Sequence, residues 1–366
     1  MAKTNLIRRI KMYYKKINLT IILVIVMFLG LTLAMAGCSG RQTAEGGKKS
    51  ELDKSGAGTT GAQKILLKYG EINPDGHPIT EGAKEFARLV KEKSNGRIEI
   101  QVYPSGQLGD EKVEIQTVQM GGLDFFRANS NTLPDFGADK MSVLALPFIF
   151  KSRDHMHKVL NGPVGEEILK QVEEKDLKMV ALTFYDDGAR HFFLKNKPAK
   201  EVSDLKGLKI RVPQNQILMD MVKAFGASPT PISYGELYSA LQTGVVDGAE
   251  NTIAGYLTNS FFEVGKYLTL DGHMSSPGVV LISKATWDKL DPSDRQLIKE
   301  AAVESSKKVR EMTEKFEADA LAELKGKGAV ITEIQDKTPW QEVVSPLYEK
   351  YGSKYKELIE VIKNTN

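Results

Sequence analysis

The chain has 366 residues, a formal net charge of +3, 41% hydrophobic residues and a single cysteine, Cys38. That composition is ordinary for a globular protein, and it excludes a scaffold stapled by internal disulfides. All charged residues before Cys38 are basic, so the remainder of the chain is net acidic and offers no overall positive field to nucleic acid.

Lys3, Arg8, Arg9, Lys11, Lys15 and Lys16 precede an apolar run from Ile21 to Ala36, which is the order of a secretory signal. At about 16 residues the run is short for a membrane crossing, which takes about 20. It ends in Met35-Ala36-Gly37-Cys38, small residues directly before a cysteine. Residues 1–37 are therefore expected to be a lipoprotein signal peptide, with Cys38 lipidated as the first mature residue. Residues 38–63 are rich in Gly, Ser and Lys and read as a flexible tether. Within them, Gly56-Ala57-Gly58-Thr59-Thr60-Gly61 matches a dinucleotide-binding glycine pattern in form only, since no strand precedes it and no helical pattern follows.

From Lys64 onward, β-rich runs alternate with helical patterns. ILLKYG, a helix from Thr80 to Ser94, RIEIQVYP, a helix from Asp110, LPFIF, a helical stretch from Arg153 to Glu174 and KMVALTFY follow in order, the signature of an α/β sheet covered on both faces. The character changes at Asp186-Asp187-Gly188, where the chain is expected to cross into a second lobe. HFFLKN and LKIRVP then read as strands, with helices at 215–225, 234–243 and 252–262. GVVLIS is a further strand, and an amphipathic, charged helix from Asp294 to Lys325 is long enough to span both lobes. About 300 residues exceed what one core usually organises. The expected division is 64–187 plus 277–316 for the first lobe and 188–276 plus 317–366 for the second, with a hinge and a ligand cleft between them.

Chemistry concentrates at two arginines. Arg211 stands in Gly207-Leu208-Lys209-Ile210-Arg211-Val212-Pro213, at the carboxyl end of a strand, where open α/β sheets place ligands. Arg190 follows Asp187-Gly188-Ala189 at the expected lobe boundary. Two guanidinium groups suit a carboxylate, which they bind by paired, directional hydrogen bonds. Asn73 and His77, just after the first strand, are placed either to meet ligand hydroxyls or to cap a turn. His155 and His157 are two apart without a third partner at metal-like spacing, so no metal site or cofactor is expected.

The run from Tyr234 to Asn251, YGELYSALQTGVVDGAEN, carries a resemblance. Together with GLKIRVP, YPSGQLGDE and ALPFIF, it is similar to the extracytoplasmic solute receptors of the tripartite ATP-independent periplasmic (TRAP) transporters, the DctP-like group. The resemblance implies a two-lobed, periplasmic-binding-protein-like α/β fold of class II type, and a receptor that delivers an organic anion to a membrane permease. It implies that Arg211, Arg190 and Asn251 hold the ligand carboxylate, with Tyr234 packing against the ligand and Gln214 lending a polar contact after RVP. Asn129 falls where the sialate receptors carry an acidic contact, which argues against sialic acid. Arg127, Asp154-His155-Met156, GARHFF and DGAENTIAGY resemble the hexuronate receptors, although those often read ENN where this chain has Glu250-Asn251-Thr252.

An anchored enzyme is the first rival, but the chain has no nucleophile elbow, zinc-ligand helix or phosphate loop, and a carboxylate clamp without a base binds rather than reacts. A receptor reporting to a sensor kinase would carry the same motifs. A C4-dicarboxylate cargo would need a second cation in the opposing lobe, for which Arg127 is the candidate.

Overall fold

The computed structural model describes residues 64–365, so the expected signal peptide, the tether and Cys38 lie outside the described residues. The first half of the chain runs β1 (Ile65–Gly70), α1 (Pro78–Lys93), β2 (Ile98–Tyr103), α2 (Glu111–Gln119), β3 (Phe125–Asn129), α3 (Arg153–Leu160), α4 (Pro163–Glu174) and β4 (Met179–Tyr185). It then crosses into β5 (Ala189–Leu194), β6 (Lys209–Val212), α5 (Gln216–Ala224), β7 (Ser228–Pro231), α6 (Leu237–Thr243), β8 (Gly248–Thr252), α7 (Ile253–Thr258), α8 (Phe261–Val264) and β9 (Tyr267–Ser275). The chain returns through β10 (Gly278–Ser283) and α9 (Lys284–Trp287) to α10 (Pro292–Gly326), and ends in β11 (Val330–Glu333), α11 (Thr338–Val344), α12 (Pro346–Gly352) and α13 (Lys356–Asn364).

Two sheets result, ordered β2-β1-β3-β10-β4 and β11-β9-β5-β8-β6-β7. In the first, β1 pairs in parallel with β2 and β3, while β10 returns antiparallel between β3 and β4. All six residues of β10 are buried, as a strand covered on both faces requires. Helix α1 covers one face with Ile79, Ala83, Phe86, Leu89 and Val90, spaced for one side of a helix. Pro78 suits its first turn, and His77 caps it by accepting from the Ile79 N–H at 3.2 Å. Helices α2, α3 and α4 cover the other face. The second sheet is likewise enclosed, by α5 and α11 on one side and by α6, α7 and α8 on the other.

Helix α10 links the two cores. Its 35 residues extend about 52 Å. Ile298, Ala301, Ala302 and Val309 enter the first-sheet core, and Ala320 and Leu324 enter the second. The last helix, α13, expected with the second lobe, packs Ile359 and Ile362 among the residues of α3 and α4.

Three expected elements differ. LPFIF is a turn, because Pro147 cannot donate to a ladder and Phe148 takes φ 57°, its N–H reaching the His273 carbonyl at 2.9 Å. The stretch from Arg153 to Glu174 is two helices, interrupted at Asn161-Gly162 ahead of Pro163. The helix expected over 252–262 breaks at Ser260, which adopts φ 54°.

Candidate functional site

The sheets meet across a cavity of about 740 Å³, its open mouth included. Arg211, Arg190, Asn251, Tyr234, Gln214, Arg127, Asn129, Asn73 and His77 all line it. The fold therefore gathers into one space every candidate binding residue singled out from the sequence, from segments as far apart as the loop after β1 and the end of β8.

The second sheet supplies one wall through three adjacent strands. Arg190 on β5 pairs with Thr252 on β8, and Arg211 on β6 pairs with Ala249 on β8. Register thus sets both guanidinium groups beside Glu250 and Asn251. Arg211 is 1% exposed, and its single hydrogen bond among the described residues runs from Nε to the Ile232 carbonyl at 2.9 Å. No carboxylate lies within ion-pair distance of it among the described residues. Burial, with Arg190 nearby, pulls its pKa down to about 10 even though Glu250 and Tyr234 favour its charge. It remains a cation at neutral pH, buried without a carboxylate partner among the described residues, and its remaining donors face the cavity it lines. The Tyr234 ring lies 5.8 Å from its guanidinium carbon, within range of a cation–π contact.

Arg190 is differently placed. Its Nε and Nη2 bind both carboxylate oxygens of Glu250, the latter at 2.9 Å, and Nη2 also reaches the Glu250 carbonyl at 3.3 Å. Burial opposes the charge of Glu250, but Arg190 and His273 more than offset it and hold the carboxyl below its usual range. His273 in turn binds Asp271 at 2.6 Å, and these carboxylates lift its pKa to about 9 against the cost of burial. Arg190 is thus charge-balanced before any ligand arrives. Asn251 donates to the Tyr234 hydroxyl at 3.2 Å and accepts from the Thr252 N–H at 2.8 Å. Gln214 is exposed where β6 ends, beside the cavity.

The first sheet supplies the facing wall. Arg127 on β3 is 1% exposed and binds Glu71 twice, at 3.1 and 2.7 Å, and donates to Asn129 at 2.9 Å. Gly278 on β10 makes this possible, since a Cβ there would lie 2.4 Å from the Arg127 side chain. Burial works against the charge of Arg127, yet Glu71 and Asp187 raise its pKa well above the ordinary value. Asn73 donates its backbone and side-chain N–H groups to the same Glu71, at 2.9 and 2.8 Å. Asn129 donates to Glu111 at 2.9 Å. His77, whose Nδ1 caps α1, is pushed to a pKa of about 3 by burial and by Arg127. It is neutral with its proton on Nε2, so it combines the capping role with a donor that can serve the cavity. His155 and His157 sit apart from this wall, His155 on the Ile362 carbonyl at 2.8 Å and His157 on Asp186 at 2.8 Å.

Glu71, Glu111, Asn131, Thr132 and Asp187 also line or brace the cavity and were not singled out from the sequence. Glu71 sits at the edge of ILLKYG, where nothing local marks it; only the β1–β3 pairing brings it to Arg127. Across the mouth, Asn215 both caps α5 through Leu218 at 3.0 Å and donates to the Asn131 carbonyl of the opposing wall.

Two α/β lobes around a cavity with one unbalanced buried cation define a receptor for a small organic anion. The chain matches the family model described as bacterial extracellular solute-binding protein, family 7 (DctP), over residues 69–354. It belongs to the DctP family, whose members are solute-binding receptors rather than enzymes and work outside the cytoplasm. It is 35% identical to a TRAP periplasmic solute-binding protein of Pseudomonas putida F1 whose crystal structure holds D-glucuronate, with a TM-score of 0.79 over 82% of this chain and 97% of that one. A TRAP periplasmic solute-binding protein of Xanthobacter autotrophicus Py2 with bound β-D-galacturonate is 36% identical, with a TM-score of 0.79 over 82% of this chain and all of the other, 100%. Among curated relatives, the C4-dicarboxylate-binding periplasmic protein of Rhodobacter capsulatus is 30% identical over 80% of this chain and 88% of its own.

Proposed function

We propose that this receptor captures a hexuronate, D-glucuronate or D-galacturonate, and delivers it to the membrane subunits of a TRAP permease. One observation carries the reading: of the three buried arginines around the cavity, Arg211 alone has no carboxylate partner among the described residues. A ligand carboxylate completes it, with Arg190 and Asn251 alongside and the Tyr234 face against the sugar ring. Arg127 is already matched by Glu71 and Lys112 by Asp135, so among the described residues the facing wall has no idle cation for a second carboxylate, which favours a sugar acid over a C4-dicarboxylate. Asn73, His77, Asn129 and Gln214 offer polar partners to ring hydroxyls. Residues 64–187 plus 277–316, joined by the terminal helix α13, and residues 188–276 plus 317–355 act as lobes that close on the ligand, and Cys38 carries the lipid that tethers the receptor to the membrane.

A thermal-shift screen against uronates, aldonates, C4-dicarboxylates and sialic acid tests the cargo. A true ligand at 1,000 times its Kd should add about 4 kcal/mol and several degrees. A shift confined to glucuronate or galacturonate supports the reading; a shift only with succinate or malate replaces the cargo. Mass spectrometry of the N-terminal peptide, with or without a thioether-linked lipid on Cys38, decides the anchor.

A further inference from the structure

Asp186 and Asp187 are neighbours at the crossing between β4 and β5, both buried, yet their surroundings are opposite. Asp186 is saturated. His157 binds it at 2.8 Å, Arg153 at 3.1 Å, and the Gly188 N–H at 2.9 Å. Gly188, at φ 85°, has room for no Cβ here, since one would lie 2.1 Å from Glu317. This turn turns Asp187 the other way, onto the cavity. Neither Asp187 carboxylate oxygen makes a hydrogen bond among the described residues, and Oδ1 is buried without a partner. Its nearest cation, Arg127, stands at 3.9 Å and is already engaged by Glu71.

A buried acceptor left without a donor is costly and is normally eliminated unless something else fills the place. Asp187 cannot donate when ionised, so its missing partner is a donor, and none of the described residues supplies one within hydrogen-bond distance. Resting on the uronate reading, we propose that Asp187 is a specificity-determining residue, accepting hydrogen bonds from hydroxyls of a polyhydroxylated monocarboxylate and repelling any second carboxylate. The ligand class this selects is a sugar acid with one charge, gripped at its carboxylate by Arg211 and read at its hydroxyls by Asp187. A site built to bind a hydroxyl discriminates strongly against a ligand lacking it, because its own polar group is then stranded.

The test is calorimetric titration of the full-length receptor and its Asp187→Asn and Asp187→Ala variants with D-glucuronate, D-galacturonate and succinate, with ligand-free melting of all three. In wild type, a uronate should bind more tightly than succinate. In Asp187→Asn the succinate-to-uronate Kd ratio should narrow by about 10-fold or more, the worth of one hydrogen bond to a charged group. The ligand-free Tm of both variants should stay close to that of wild type, because loss of the 3.9 Å ion pair with Arg127 is offset by removal of a buried carboxylate that lacks a hydrogen bond among the described residues. An unchanged ratio overturns the assignment while leaving the cargo standing. A fall of the ligand-free Tm by several degrees in both variants, with equal loss for all ligands, also overturns it, by making Asp187 structural. Wild type that binds succinate alone, or none of the three acids, removes the uronate reading and this proposal with it.

Discussion

Arg127 and Arg211 are equally buried, line one cavity from opposite sheets, and differ most in their partners. Glu71 embraces Arg127 through two hydrogen bonds, whereas the one hydrogen bond of Arg211 among the described residues goes to the Ile232 carbonyl. Desolvation costs both, and only one is repaid within the protein, so the pKa of Arg127 is raised and that of Arg211 falls to about 10. Two identical side chains at equal depth thus serve different ends: one holds the fold's wall together, and the other, in the proposed role, stores a charge for the ligand.

Substitutions sharpen this contrast. Arg127→Ala strands the buried Glu71 carboxylate and should destabilise the ligand-free protein by about 3 to 5 kcal/mol, read in denaturant titrations; a loss under about 1 kcal/mol would break the comparison. A smaller effect, up to about 3 kcal/mol, belongs to pH. The folded pKa of His273 is raised from 6.5 to about 9, so its contribution is complete below about 6.5 and is lost as pH rises through about 9. Tm should decline across that window in wild type and decline less steeply in His273→Gln, where Glu114 and Glu317, raised by burial to about 8 and about 7, still titrate. Arg211→Met should do the reverse of Arg127→Ala and raise ligand-free stability by about 1 kcal/mol, since an unpaired buried charge gives way to an apolar chain of similar length. Least of all, His77→Ala removes a helix cap and should cost about 1 kcal/mol, visible as a Tm drop of a few degrees.

The α/β class, the crossing at Asp186-Asp187-Gly188 and the long helix were legible because each has a local signal: alternating β-rich and 3.6-period runs, a glycine-marked acidic turn, and an amphipathic stretch of unusual length. Strand β9 was not, since Thr269, Asp271 and His273 interrupt its apolar pattern with buried polar groups, Thr269 bonding the Ala199 carbonyl and Asp271 accepting from the Phe192 N–H and binding His273 on the same strand. LPFIF misled for the opposite reason: it is apolar because Leu146 and Ile149 enter the first-sheet core from a turn. The helices after β11 give short patterns broken by Pro339 and Pro346. At the site, the arginines stood out through strand ends and turns, and the resemblance to the TRAP receptors added Asn251, Tyr234 and Gln214. What no local pattern conveys is pairing. That Glu71 neutralises Arg127 and Glu250 neutralises Arg190, leaving Arg211 alone, depends on strand register across both sheets.

The most direct test of that asymmetry is the Kd of D-glucuronate for wild type and Arg211→Ala, measured side by side by calorimetry at neutral pH. Arg211→Ala should weaken binding by more than about 30-fold, or at least about 2 kcal/mol, with ligand-free Tm preserved; an unchanged Kd in a folded Arg211→Ala protein would contradict the carboxylate-binding role of Arg211.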